Sequence, residues 1–251
     1  MRPFFRYYGS KWSSIALYPR PQHGLIVEPF AGSASYSVWH EPARAILCDV
    51  DHYVAGVWDY LIRASAEEIR RIPILQEDQS VDDLGPVPQE ARWLVGFWMN
   101  SNGTPDRHFS SRSRAHFLTK PGSIWSARTR DRIASQVDRI RAWEIRHADC
   151  LTALDDIGAA TWFVDPPYRV MGRHYRFGSK LLDFQQLGQW CRRLPGQTIV
   201  CEAQGETWMP FRPLALTLSA RTSRRTSAEA VWSSDAWTPA PTQLSLLEDT
   251  P

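Results

Sequence analysis

The chain has 251 residues, of which 43% are hydrophobic, so it is long enough for one large domain or for a domain with an insertion. Its 29 Lys and Arg residues nearly balance its 27 Asp and Glu residues, and the net charge of +2 alone indicates no class of partner. No apolar run reaches the roughly 18 residues of a membrane span, and the N-terminus lacks the apolar core of a signal peptide. The four cysteines form no Cys-x-x-Cys pair, which disfavours a disulfide or metal framework and favours the reducing cytoplasm.

Short apolar runs alternate with segments of helical character along the chain. This alternation predicts an α/β fold built on a largely parallel sheet. The predicted strands are 25–30, 45–50, 143–149, 161–167, 197–203 and 214–220. Ligands bind such sheets at the carboxyl ends of the strands, where this sequence places four carboxylates, namely Glu28, Asp49, Asp149 and Asp165.

The first predicted strand runs into the loop EPFAGSAS, residues 28–35. Gly32 and its small neighbours allow a tight turn and a close approach of the backbone to a ligand at the start of a helix. Asp49 closes the next strand, at the position where nucleotide-like ligands are commonly bound through their ribose hydroxyls. The pair indicates a cofactor that contains adenosine. A nucleotide triphosphate is disfavoured because the sequence has no GxxxxGK[ST] motif.

The middle of the chain is asymmetric in charge. Residues 59–91 carry 3 basic and 8 acidic side chains, whereas residues 92–146 carry 11 basic and 4 acidic ones among Trp, Phe, Ser and Asn. Such a basic segment is typical of a surface that neutralises phosphates, with Arg112 and Arg114 as candidate contacts. A solvated basic face of a helical segment is the alternative.

The segment TWFVDPPYRV, residues 161–170, combines a buried strand with an abrupt stop. Neither proline can donate a backbone hydrogen bond, so the strand must end at Asp165. A carboxylate, a rigid Pro166 carbonyl and the ring of Tyr168 are thereby held close together.

These motifs together resemble the Dam-type DNA adenine methyltransferases, which use S-adenosylmethionine. In chain order the matching segments are YYGSK (7–11), EPFAGSAS (28–35), CDVD (48–51) and DPPY (165–168). The resemblance implies a Rossmann-like methyltransferase sheet with helices on both faces, formed by residues 1–58 and 143–233. It also implies a mainly helical target-recognition insertion at 59–142.

The resemblance also implies a role for each matched residue. Tyr7 and Lys11 would contact the cofactor from the N-terminal arm. Glu28 and Gly32 would flank its methionine part, Asp49 its ribose and Asp149 its adenine amine, with a surface lysine and a helix cap as the alternatives for Lys11 and Asp149. Asp165 would lie between cofactor and substrate.

DPPY suits methyl transfer to an exocyclic amine, whose lone pair is delocalised into the base. Asp165 and the Pro166 carbonyl can accept both amine protons, so that the lone pair turns towards the methyl group. Tyr168 offers a stacking face for a base taken out of the duplex. We therefore expect an adenine-N6 DNA methyltransferase that acts as a monomer. The alternatives are a cytosine-N4 methyltransferase, an enzyme that methylates RNA or a protein amide, and an inactive DNA-binding protein.

Two C-terminal segments complete the expectations. The family's usual Ser-Asn pair after the fifth strand is replaced by CEAQGETWMPF (201–211), and beyond it Arg221, Arg224 and Arg225 suit phosphate contacts. Residues 234–251 are rich in Pro, Thr and Ser and are predicted to form a flexible tail. Within it, QLSLL (Gln243–Leu247) is similar to the peptide with which replication and repair proteins dock on a sliding clamp.

Overall fold

A computed structural model describes residues 1–99, 104–110, 124–170, 172, 176–214 and 229–235. Seven strands in the described part form one sheet with the order β3-β2-β1-β4-β5-β7-β6. The strands are β1 (Leu25–Glu28), β2 (Arg44–Asp49), β3 (Glu144–His147), β4 (Ala160–Val164), β5 (Gly196–Ala203), β6 (Arg212–Pro213) and β7 (Glu229–Ser233).

The order reverses between β1 and β4, as in doubly wound folds. β1 to β5 pair in parallel, whereas β7 runs antiparallel to both β5 and β6. The α-helices that the structure describes are α1 (Ser35–His40), α2 (His52–Arg63), α3 (Ala66–Arg71), α4 (Gln89–Met99), α5 (Ala127–Gln136), α6 (Cys150–Ala153) and α7 (Phe184–Cys191). Short 3-10 turns include Lys11–Ser13 and Ser179–Leu181.

Both faces of the sheet are buried, as the alternation along β2 shows. Ala45 and Leu47 belong to the hydrophobic cluster that contains α2, whereas Ile46 and Cys48 belong to the cluster that contains α7. Successive side chains of a strand point to opposite faces, so this division places helices on both sides of the sheet. The expected mixed α/β architecture is therefore confirmed.

The described helices of 59–142 pack into the same cluster as the sheet. Trp98 of α4 and Ile133 of α5 share one hydrophobic cluster with Leu47 of β2, and α2 continues across position 59 to Arg63. The N-terminal arm also lies against these helices, because the Trp98 indole donates a hydrogen bond of 2.9 Å to the Phe4 carbonyl. This contact fixes the part of the N-terminal arm that precedes Lys11.

The first five predicted strands correspond to β1 to β5, and their ends lie close to the predicted positions. The sixth run, 214–220, lies almost wholly outside the described residues, and the short β6 precedes it. No strand was predicted for residues 229–233, which form β7. Within the described ranges, no helix has both the length and the apolar character needed to cross a membrane.

Candidate active site

A cavity of about 710 Å³ opens at the carboxyl edge of the sheet, where β1 and β4 lie side by side. Its volume lies within the roughly 300–1,000 Å³ typical of small-molecule sites, and its position is the switch point at which open α/β sheets bind ligands. The nine residues that the sequence proposed for cofactor binding and catalysis all line it: Tyr7, Lys11, Glu28, Gly32, Asp49, Asp149, Asp165, Pro166 and Tyr168.

The glycine loop needs a glycine at position 32. Gly32 has φ +45°, and a Cβ added there would lie 3.0 Å from the ring of Tyr7. Its backbone N–H donates a hydrogen bond of 3.0 Å to Asp49, and its carbonyl accepts one of 2.8 Å from the Trp58 indole. The loop backbone is therefore fixed in place between the N-terminal arm, β2 and α2.

Asp49 and Asp149 stand at the ends of β2 and β3 and already have backbone partners. Asp49 also accepts a hydrogen bond of 2.9 Å from the N–H of Asp51, and burial raises its pKa to about 6. Asp149 caps α6 by accepting a hydrogen bond of 2.9 Å from the N–H of Leu151. Asp149 is therefore a helix cap, as the alternative expected, and this exposed residue also lines the cavity.

Glu28 is almost completely buried at the end of β1, with 2% of its surface exposed. It accepts a hydrogen bond of 2.7 Å from the N–H of Ser37 in α1. Burial raises its pKa to about 8, and the nearby Asp165 acts in the same direction.

The protonation of Glu28 predicts how stability changes with pH. Its ordinary pKa is 4.5, so between about pH 4.5 and 8 the folded chain holds a proton that the unfolded chain releases. The contribution of Glu28 to the free energy of unfolding is therefore present below pH 4.5 and is lost as the pH rises to 8. Glu28→Gln should become more stable relative to the original chain as the pH rises, measured by urea denaturation at pH 5, 6.5 and 8.

The exposed Glu67 of α3 offers a control for this amide substitution, as Glu67→Gln. A stability difference between Glu28→Gln and the original chain that stays constant from pH 5 to 8 would contradict a protonated Glu28.

Lys11 and Asp165 form a buried ion pair, which excludes the surface-lysine alternative. The Lys11 ammonium lies 2.8 Å from each carboxylate oxygen, and its side chain is 7% exposed. Oδ2 accepts a hydrogen bond from the ammonium, and Oδ1 lies equally close to the same charge. Burial alone would lower the pKa of Lys11, but the charges of Asp165 and Glu229 raise it above its usual range. Burial raises the pKa of Asp165, and Lys11 opposes that shift.

Tyr168 lies beside this ion pair and is nearly buried. The Lys11 ammonium is 4.7 Å from the centre of its ring, a cation–π distance. Its hydroxyl donates a hydrogen bond to Glu229, the first residue of β7. Glu229 also lines the cavity, and sequence reasoning missed it. No motif marks this residue, and no strand was predicted at its position.

The backbone that follows DPPY is anchored to the segment where the sequence departs from the Dam-type pattern. Glu202, fully buried at the end of β5, accepts hydrogen bonds from the Arg169 N–H at 3.4 Å and from the Trp208 indole at 3.0 Å. A Cβ on Gly172 would lie 2.6 Å from the backbone of Pro167, so the chain folds back tightly on the two prolines. These contacts hold the Asp-Pro-Pro-Tyr turn rigid.

Arg176 also lines the cavity, where it lies near the start of α2. Its guanidinium lies 3.7 Å from the Asp51 carboxylate and 5.0 Å from the centre of the Tyr53 ring. The cavity mouth also has an apolar residue, Leu181, which is 73% exposed. Neither residue belonged to the site inferred from the sequence.

The residues proposed for DNA and clamp binding cannot be placed. Arg112, Arg114, Arg221, Arg224, Arg225 and Gln243–Leu247 lie outside the described residues. Several described arginines of 92–146 bind the chain's own carbonyl groups: Arg92 those of Val81 and Gly85, Arg132 that of Pro3, and Arg141 those of Ile62 and Ala64. Much of the positive charge counted in this segment therefore serves internal contacts.

No protein-family model matches the chain, and no curated protein matches it. The cavity and the motifs that line it are therefore the features from which its function can be inferred.

Proposed function

We propose that the protein transfers a methyl group from S-adenosylmethionine to the exocyclic N6 amine of adenine in double-stranded DNA. The observation that carries the proposal is the meeting of three motifs in one cavity. The glycine loop with Gly32, the strand end at Asp49 and the Asp-Pro-Pro-Tyr turn at Asp165 all line it.

The donor set of the cavity suits this cofactor. A backbone loop that requires glycine at position 32 permits close approach of a ligand, and the carboxylates of Asp49 and Asp149 are acceptors for ribose hydroxyls and an amine. Acidic side chains also suit the positive charge of a sulfonium. When bound, S-adenosylmethionine supplies a methyl group on a good leaving group.

The residues of the chain position the amine. Asp165 and Pro166 both line the cavity, and the carboxylate of the first and the carbonyl of the second are the acceptors that we assign to the two amine protons. Lys11 holds the carboxylate in place through their ion pair, and Tyr168 offers its ring to the base. Rate acceleration then comes from orientation and from acceptors that are already in place.

The test is methyl transfer with the purified full-length chain. The protein is incubated with S-adenosylmethionine labelled in its methyl group and with unmethylated duplex DNA, and the digested nucleosides are identified. Label in N6-methyladenine supports the proposal. Label in N4-methylcytosine would change the base, and label only in parallel RNA or protein reactions would change the substrate class. A chain that binds DNA but transfers no label would be a DNA-binding protein without this activity.

A further inference from the structure

The antiparallel strand β7 brings a second carboxylate to the catalytic end of the cavity. Glu229, its first residue, pairs with Ala203, the last residue of β5. Because β7 runs opposite to β5, its start lies at the carboxyl edge of the parallel strands, where Asp165 also lies. The cavity lining accordingly includes Glu229.

One oxygen of Glu229 accepts hydrogen bonds from two tyrosines. The hydroxyl of Tyr18 donates at 3.0 Å to Oε2, and the hydroxyl of Tyr168 donates to the same atom. Tyr18 is buried and packs edge-on against Phe163 at 5.4 Å between ring centres, and it does not line the cavity. Tyr168 does line it, so Glu229 connects a fixed core residue to a ring at the site.

We propose that Glu229 is a positioning residue that holds the Tyr168 ring, through its hydroxyl, in the orientation used to stack the substrate base. The inference rests on the function proposed above. The ring is held at two places, its hydroxyl by Glu229 and one face by the Lys11 ammonium. A ring that is already fixed before the substrate binds loses no conformational entropy during the reaction. The barrier is lower for that reason, and the rate is higher.

Glu229 also changes the charge around the reacting amine. With Asp165 it sets two carboxylates against the single ammonium of Lys11, and its charge helps to raise the pKa of both partners. An amine that accepts a methyl group becomes positively charged, so a net negative surrounding stabilises that change. Position and charge therefore act in the same direction.

The experiment compares Glu229→Ala, Tyr168→Phe and the double variant. Initial rates of methyl transfer to unmethylated duplex DNA are measured at saturating DNA and S-adenosylmethionine, together with the KM for each. Each single variant should lower kcat by about tenfold with little change in the KM for S-adenosylmethionine, the size expected from one lost hydrogen bond and a misplaced ring. The double variant should be no slower than the slower single variant, because both changes remove the same contact.

Two further variants separate positioning from a general loss of structure. Tyr18→Phe removes the other hydroxyl that donates to this carboxylate oxygen but leaves the Tyr168–Glu229 hydrogen bond, so it should lower kcat less than Tyr168→Phe does. Glu229→Gln retains an acceptor for the Tyr168 hydroxyl but loses the charge, so it should recover part, and not all, of the kcat lost in Glu229→Ala. A double variant whose loss is the product of the two single losses, or a Glu229→Ala chain with normal kcat, would overturn the inference.

Failure of the proposed function has a different signature, namely an original chain that transfers no methyl group. The contact is then tested by urea denaturation of the same variants. A double variant with the same midpoint as Glu229→Ala supports a coupled pair, because that substitution already removes the contact with Tyr168, whereas additive shifts show that Glu229 does not hold Tyr168.

Discussion

Asp165→Ala should slow methyl transfer to duplex DNA by about 10²-fold or more, because it removes a preorganised acceptor for the amine. The affinity for S-adenosylmethionine should change much less, since the glycine loop and Asp49 remain intact. Single-turnover transfer of a labelled methyl group measures the rate, and titration calorimetry measures cofactor binding.

Asp131→Ala, which changes an exposed aspartate of α5 outside the cavity, is the control for this substitution. A near-normal rate for Asp165→Ala would show that the carboxylate does not hold the substrate amine. Equal losses of rate and of cofactor affinity would assign Asp165 to cofactor binding instead.

Lys11→Met should lower the free energy of unfolding by about 3 kcal/mol at pH 8, because it leaves the buried Asp165 carboxylate without its partner. The loss should be smaller at pH 5. Without the ammonium the pKa of Asp165 rises further, and a protonated carboxyl group costs less to bury. Urea denaturation at the two pH values measures both effects.

The double variant Lys11→Met with Asp165→Asn tests the cause of this loss. Removing both charges should restore much of the stability at pH 8, since no uncompensated charge remains in the site. If the double variant is as unstable as Lys11→Met alone, the lysine stabilises the fold through its packing and not through its charge.

The part of the fold that could be predicted depends on local patterns. The apolar run Trp162–Val164 is followed by Asp165 and two prolines, so the strand and the position of Asp165 at its end follow from the sequence. The sequence also predicts that Glu28, Asp49 and Asp165 lie close together, because the carboxyl ends of parallel strands share one edge of the sheet.

The rest depends on tertiary contacts that no local pattern specifies. The burial of Lys11 is set by Asp165, which is 154 positions away in the chain. Glu229 belongs to the site only because β7 turns antiparallel to β5. Arg92 and Arg141, which contribute to the positive charge of residues 92–146, donate hydrogen bonds to carbonyl groups that the sequence cannot identify as their partners.

The position of β1 between β2 and β4 has a consequence for how the chain folds during synthesis. β1 pairs with β4, which leaves the ribosome only after the whole of 59–142 has been made. Until then, one edge of β1 has no partner strand, and Asp165 is not yet present to pair with Lys11. A nascent chain can form local helices such as α2, but closing the β1–β4 pair requires a long loop, which slows folding. The cavity therefore takes shape late in synthesis, once both of its walls have emerged.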